Sequence, residues 1–283
     1  MEIFINGKPA DITLDTEKTL GDVLSGIELW LSGTGNRIGQ INIDGSDIPW
    51  NDLGRFFSND LKSLVKLDIE VSSFRELAAE ALTALIGVCS LHILSPFEER
   101  AQITSYWEKS AAAQFLDTEM PDIYKLAGAS FTGEGFSTQD LKTIIEERLR
   151  ETTDPHNEIC GIELILKNIS ERLVQLPLDM QTGKDKKAAE TIQLFSEIGE
   201  KLFRILAIFK STGLSMDTLI IDGKSARIFI DEFKKAIQEL SGAYKDQDTV
   251  LAGDIAEYEL APRLIKFFNS LKEIKIPNLT VVT

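Results

Sequence analysis

Histidine and cysteine are nearly absent: the 283-residue chain holds two of each. That scarcity excludes histidine-rich metal centres and most histidine-based acid–base machinery. The Glu-x-x-His signature of carboxylate-bridged di-iron bundles does not occur. No loop alternates oxygen donors around a turn glycine, as a calcium hand does. No metal and no cofactor is therefore expected. Cys89 and Cys160 are too few for a disulfide framework, which fits a reducing, cytoplasmic compartment. Positive charge is also scarce, with 30 Lys and Arg against 45 Asp and Glu and a net charge of −15. Such a surplus of carboxylate repels phosphate backbones and anionic headgroups, so neither nucleic acid nor membrane is an expected partner. The basic cluster Lys184-Asp185-Lys186-Lys187 is short and interrupted, and reads as a solvated helix start. No apolar run is expected to approach the roughly 20 residues that a spanning helix needs. The stretch Met1–Gly7 lacks the basic flank and long apolar centre of a signal peptide.

What is present changes character near residue 72. Before it, apolar residues alternate; after it, they recur at helical spacing. Ile3 and Ile5 alternate with Glu2 and Phe4, and Asn6-Gly7 supplies the positive φ angles of a type I′ turn into a strand with Ile12 and Leu14. Leu20, Val23, Leu24, Ile27 and Leu31 step by three and four, which predicts a helix closed by Ser32-Gly33-Thr34-Gly35-Asn36. A strand with Ile38, Ile41 and Ile43 follows, with a bulge at Gly39, and then the turn Asp44-Gly45. A short helical piece begins at Trp50. The last strand holds Leu64, Leu67, Ile69 and Val71. The glycines of Gly33-Thr34-Gly35-Asn36-Arg37-Ile38-Gly39 do not make a dinucleotide fingerprint, since the third comes one residue late and the loop follows a helix.

This order of strand, strand, helix, strand, short helix and strand resembles the ubiquitin-like β-grasp fold over residues 1–72. A conjugating modifier or sulfur carrier of that kind ends in a free Gly-Gly tail, whereas Val71-Ser72-Ser73 runs straight into a helix. The resemblance therefore implies a fused binding or structural module. Further on, the stretch from Asp254 to Pro262 resembles a segment of uncharacterised bacterial proteins that join a β-grasp-like start to helices, which implies no activity.

The rest reads as helices. Phe74, Ala78, Ala81, Leu85, Val88 and His92 form one stripe, ending near Ser95-Pro96. A second helix is expected from Phe97 to Leu116 and a shorter one from Pro121 to Ala129. Gly128 to Ser137 reads as a loop between subdomains. Ser137 and Asp154 are expected N-caps, the latter followed by Pro155. Helices with Ile159 through Leu176 and Ala188 through Phe209 form an antiparallel pair across the Pro177–Gly183 connection. Leu219 to Lys224 fits either a short strand and turn or an extended link. Two helices follow, the last bent by Pro262 near Tyr258. The fold class is α+β: a small β-grasp-like domain (1–72), a helical subdomain (73–136), a C-terminal helical bundle (137–273) and a β-like tail (274–283) that is either frayed or paired with a sheet edge.

Two constellations invite chemistry. Cys89 with His92, and His156 with Cys160, are spaced to share helix faces and together make a formal Cys2His2 set. Their apolar surroundings favour buried packing instead, and the same setting argues against a cysteine nucleophile, so no metal or catalytic residue is assigned. Trp30, Trp50, Phe56 and Phe57 are too many large aromatics for a small sheet domain to hide, and are assigned to a partner or interdomain surface. The expected role is non-enzymatic: an adaptor, scaffold or chaperone-like factor that recognises a peptide or helix through a bundle groove or a sheet edge. Its acidic surface favours a basic protein partner. The alternatives are an enzyme with a pocket between head and body, and a structural oligomer; the sequence leaves the oligomeric state open.

Overall fold

Two consecutive residues with positive φ set the first hairpin. Asn6 (φ 49°) and Gly7 (φ 71°) form the expected tight turn between β1 (Glu2–Ile5) and β2 (Lys8–Pro9). The structure, a computed structural model, describes residues 1–14, 16–31 and 34–276, and only the backbone of Asn51. Helix α1 (Leu20–Leu31), β3 (Asn36–Ile43), β4 (Ser46–Asp47), the short α2 (Trp50–Leu53), a 3-10 turn (Leu61–Ser63) and β5 (Lys66–Ser73) complete the head. The sheet order is β2-β1-β5-β3-β4. The central pair β1 and β5 is parallel and the other pairs are antiparallel. The register shifts between Ile38 and Gln40, so the bulge expected at Gly39 is present. The Asn6 side chain extends the central pairing: its Nδ2 donates to Val71 O (3.1 Å) and its Oδ1 accepts from Val71 N (2.7 Å).

Alternation explains the core of the head. Ile3, Ile38, Ile41, Ile43, Leu67 and Ile69 project from one face of the sheet and meet Leu20, Val23, Leu24, Ile27 and Leu31 of α1. Helix α1 starts at a reciprocal cap. Asp22 Oδ2 accepts from the backbone N–H groups of Lys18 (3.0 Å) and Thr19 (2.9 Å), and Asp22 N donates to Thr19 Oγ1 (3.3 Å). Ser32 and Gly33 of the expected helix stop lie outside the described residues.

Strand β5 passes into α3 (Phe74–Leu94) through a capping box, in which Ser73 Oγ accepts from Glu76 N and Glu76 Oε2 accepts from Ser73 N (2.6 Å). Against the sequence expectation, α3 is long and apolar enough to cross a membrane by length and composition. Arg75, Glu76, Glu80 and His92 interrupt its apolar residues. One face of it packs in the first unit, where Ala81, Leu82, Leu85 and Cys89 are buried among Trp107, Leu116, Ile123, Leu141 and Ile145, while Leu91 and Leu94 are exposed. The helix expected from Phe97 to Leu116 is two, α4 (Phe97–Glu108) and α5 (Ala111–Glu119), because Ser110 Oγ caps a new start at Ala113 N (3.1 Å). Helix α6 (Pro121–Thr132) runs past Gly128 and closes at Gly133 (φ 80°), three residues beyond the expected end.

The chain divides after Thr153 into two units, the first including residues 1–153 and the second built from Asp154–Lys210 and Leu214–Asn278. The expected bundle thus loses its first helix. Helix α7 (Thr138–Thr153) packs on α3 through Leu141 and Ile145. The buried Arg75 of α3 closes the end of α7, donating from Nε to Thr152 O (3.0 Å) and from NH2 to Thr153 O (3.1 Å).

The second unit holds α8 (Pro155–Gly161), α9 (Glu163–Gln181), α10 (Asp185–Ser211), the hairpin β6 (Ile220–Ile221) and β7 (Lys224–Ser225), α11 (Ala226–Lys245), α12 (Thr249–Asp254), a π-helical segment (Ile255–Leu260) and α13 (Ala261–Glu273). Asp154 caps α8 through Asn157 N (3.1 Å), as expected. The 219–224 stretch resolves as strand and turn. Helix α9 continues through Pro177, although the sequence placed its end there. A proline near the last turn removes one bond without forcing a stop. Around Tyr258, where Pro262 is expected to bend the last helix, the structure has the π-helical segment. Phe195, Phe203, Phe229, Phe233 and Phe267 make the centre of this unit, with ring centroids 5.2 to 6.2 Å apart. Residues 277–283 of the β-like tail lie outside the described residues. The α+β class, with a five-stranded head and a mostly helical body, is borne out.

Candidate functional site

Helix α1 covers the sheet incompletely, and the gap beside β2 is a groove of about 630 Å³. Its lining includes Ile5, Ala10, Ile12 and Leu14 from the β1–β2 side and Val23, Gly26, Ile27 and Trp30 from α1. The last four stand at i, i+3, i+4 and i+7, so one helical stripe forms the wall. Val23 and Ile27 are buried in the core, whereas Trp30 is 63% exposed and Ile12 39%. Gly26 leaves a gap in the stripe, since a Cβ built there meets nothing within 4 Å.

The groove borders an irregular stretch of backbone. Residues Asp11, Ile12, Thr13 and Leu14 follow β2 but take no regular structure, and none of them makes a main-chain hydrogen bond among the described residues. The first three are exposed, so water serves their N–H and C=O groups in the free protein. The rim is acidic, with Asp11, Glu17 and Asp22 against Lys8. The backbone N–H groups of Lys18 and Thr19 hold the Asp22 carboxyl below its usual pKa, so it is charged at neutral pH.

A second groove, of about 510 Å³, lies in the other unit beside the π-helical segment. Three of its carboxylates meet cations: Glu232 with Lys224 (2.6 Å), Glu239 with Lys235 (3.5 Å) and Glu259 with Arg263. Tyr258 stands out into solvent there, its hydroxyl pKa raised by the neighbouring Glu257.

The four aromatics assigned to a surface serve four ends. Trp30 walls the α1 groove. Trp50, at the start of α2, donates from Nε1 to Gly39 O (3.1 Å) and so ties down the bulge of β3. Phe56 packs half-buried against the head core. Phe57 lies over Gly21, where an added Cβ would stand 3.3 Å from the Phe57 Cβ. Sequence reasoning missed Ile12, Leu14 and Gly26. One signal for Gly26 was there: an isolated glycine in the middle of a clear helical stripe.

The cysteines and histidines behave differently in their two pairs. Cys89 is sealed in the first unit, and burial pushes its thiol up to about 11. His92 Nδ1 lies 3.2 Å from Thr138 Oγ1 and its ring 5.0 Å from that of Phe131, and burial lowers its pKa. Cys160 Sγ is 3.7 Å from His156 Nε2 in the second unit. Among the described residues, no three His, Cys, Asp or Glu side chains converge on a common metal position.

Two family models match parts of the chain. Residues 1–73 match the family model described as TP0873 N-terminal domain. Residues 162–270 match one described as Domain of unknown function (DUF8042). The first match ends where β5 ends, and contains the whole α1 groove. The second falls within the second unit except for residues 211–213, and contains the groove beside the π-helical segment. No curated protein and no solved structure matches the chain.

Proposed function

We propose that the chain is a non-enzymatic, cytoplasmic protein-interaction factor whose head takes up an extended segment of a partner along the α1 groove. One observation carries this reading: an open apolar groove walled by the exposed Trp30 runs beside Asp11–Leu14, whose main-chain groups have no protein partner among the described residues. Strand addition needs both parts, main-chain hydrogen bonds for affinity and a pocket for alternate side chains. The head is read as a ubiquitin-like β-grasp module. The order β2-β1-β5-β3-β4, the parallel central pair and the single helix across one face support this. The capping box at Ser73 makes it a module fused to helices, which suits an adaptor and not a conjugated tag.

The test is affinity capture from the native cytoplasm with the whole chain, in parallel with Ile12→Asp and Trp30→Ala. A partner recovered in stoichiometric amount by the unaltered chain, and lost with both variants, is the expected result. A partner held equally by all three chains moves the site away from the groove. A small molecule that co-purifies while no protein does favours the enzyme alternative.

A further inference from the structure

Gly26 is the odd residue in the groove. Glycine inside a helix is unfavourable relative to alanine, because it loses more backbone freedom on folding. Close packing commonly compensates for it, as at Gly21 where Phe57 lies over the helix, but Gly26 has nothing within 4 Å of an added Cβ. The backbone there is ordinary helix, so no unusual φ calls for glycine either. The absent side chain therefore leaves space in the groove, one helical turn from Trp30 and over the buried Val23 and Ile27.

The charges at the rim point to the occupant. Three carboxylates, Asp11, Glu17 and Asp22, line the groove with the ammonium of Lys8, and that of Lys18 stands near Asp22. The whole chain adds its net charge of −15 to the same field. Cations in a bound segment gain from both, through steering and through contact at the rim.

Resting on the strand-addition reading above, we propose that the groove selects an extended basic segment, seating one bulky apolar side chain in the space over Gly26 beside Trp30 while its cationic residues meet Asp11 and Glu17. Alternation along an extended chain turns one row of side chains into the groove and the other towards the rim and solvent. Apolar and basic residues in alternation are thus the matching pattern.

Fluorescence anisotropy with the full chain tests it. The probe is a fluorescein-labelled peptide of alternating leucine and lysine, about nine residues long, which spans roughly 30 Å when extended. A second probe carries glutamate in place of lysine. The lysine peptide is expected to bind at least tenfold tighter than the glutamate peptide, with the advantage shrinking as salt rises. Gly26→Leu should weaken the lysine peptide at least tenfold without lowering the thermal midpoint, since leucine is the better helix former. Asp11→Lys combined with Glu17→Lys should reverse the preference between the peptides. Asp22 is left intact because it caps α1. If both peptides bind the unaltered chain equally and Gly26→Leu blocks both, the groove reading stands and the basic partner is overturned. If neither peptide binds, or if Gly26→Leu leaves binding unchanged, strand addition in this groove is itself overturned.

Discussion

The head and the C-terminal unit hide apolar surface by different means. The head lays one helix across one face of a five-stranded sheet, and its buried core consists of Ile, Leu and Val side chains. A helix with its side chains is ~10–12 Å across, narrower than five strands spaced ~4.8 Å apart. One helix therefore cannot cover such a sheet to both edges, and the strip beside β2 stays open. The C-terminal unit surrounds its core with helices and fills the centre with five phenylalanine rings in mutual contact. In its groove beside the π-helical segment, Glu232, Glu239 and Glu259 already have cationic partners. Incomplete coverage by α1, together with the irregular stretch Asp11–Leu14, leaves the groove open.

The sharpest way to separate the two regions is to damage one and watch the other. All three tryptophans, Trp30, Trp50 and Trp107, lie before Thr153, so their fluorescence reports the first unit, while far-ultraviolet circular dichroism reports both. Phe233 is fully buried and touches the rings of Phe195, Phe203, Phe229 and Phe267. Phe233→Ala should cost about 3–5 kcal/mol. In urea the dichroism midpoint should fall while the tryptophan midpoint holds; a matching fall in both would show that the two units unfold as one. The reverse experiment is Arg75→Ala, which strips the buried donors from Thr152 O and Thr153 O and should cost about 2–3 kcal/mol. Its loss should appear first in the tryptophan signal. Gly253→Ala returns to the second unit. An added Cβ there would stand 2.8 Å from the Pro177 Cβ, and such overpacking costs about 1–3 kcal/mol. An unchanged urea midpoint would mean that α9 and α12 can part without penalty.

The head was far more legible in the sequence than the site it carries. Asn6-Gly7 and Asp44-Gly45 announce their turns, because few dipeptides tolerate two positive φ angles in succession. The stripe from Leu20 to Leu31 shows α1 and its buried face together. The groove depends on which strip of sheet α1 leaves bare, and that is a matter of tertiary placement. Trp30 could be singled out as an aromatic in excess of what the head can bury, yet Trp50 looked the same and instead holds the bulge at Gly39. In the body, periodicity located the helices but not their breaks. Ser110 splits one expected helix through a local cap, and α7 shifts to the first unit because its stripe matches α3. A pattern of apolar residues shows that a face is buried without showing against what.

Gly26→Ala tests the comparison more gently. A methyl at this position meets open space, so the head should gain up to about 1 kcal/mol from helix propensity. The tryptophan-detected midpoint should rise and the dichroism of the second unit should not move. A loss of stability would mean that the groove is tighter than its lining indicates, and that Gly26 serves packing.

The smallest effect concerns acid. In the second unit Glu163 is held by Lys272 (2.7 Å), which ties the start of α9 to α13, and by Lys167 (3.0 Å) one turn along α9. Hydrogen bonds from Lys272 and then Lys167 lower the Glu163 carboxyl from 4.5 to about 2. A carboxyl with a lower pKa in the folded chain binds fewer protons there than in the unfolded chain. Its stabilisation is therefore complete above the unfolded value near 4.5 and is lost as pH falls towards about 2. The group is partly open to water, so screening by salt should shrink the effect. Glu163→Gln should lower the neutral-pH stability of the second unit by the same small amount that it removes from the decline between those two values. The head lacks this tie, so its tryptophan-detected acid profile should be the same in both chains. An equal flattening in the head would mean that the ion pair acts on the whole chain, and the two regions could no longer be treated as separate in acid.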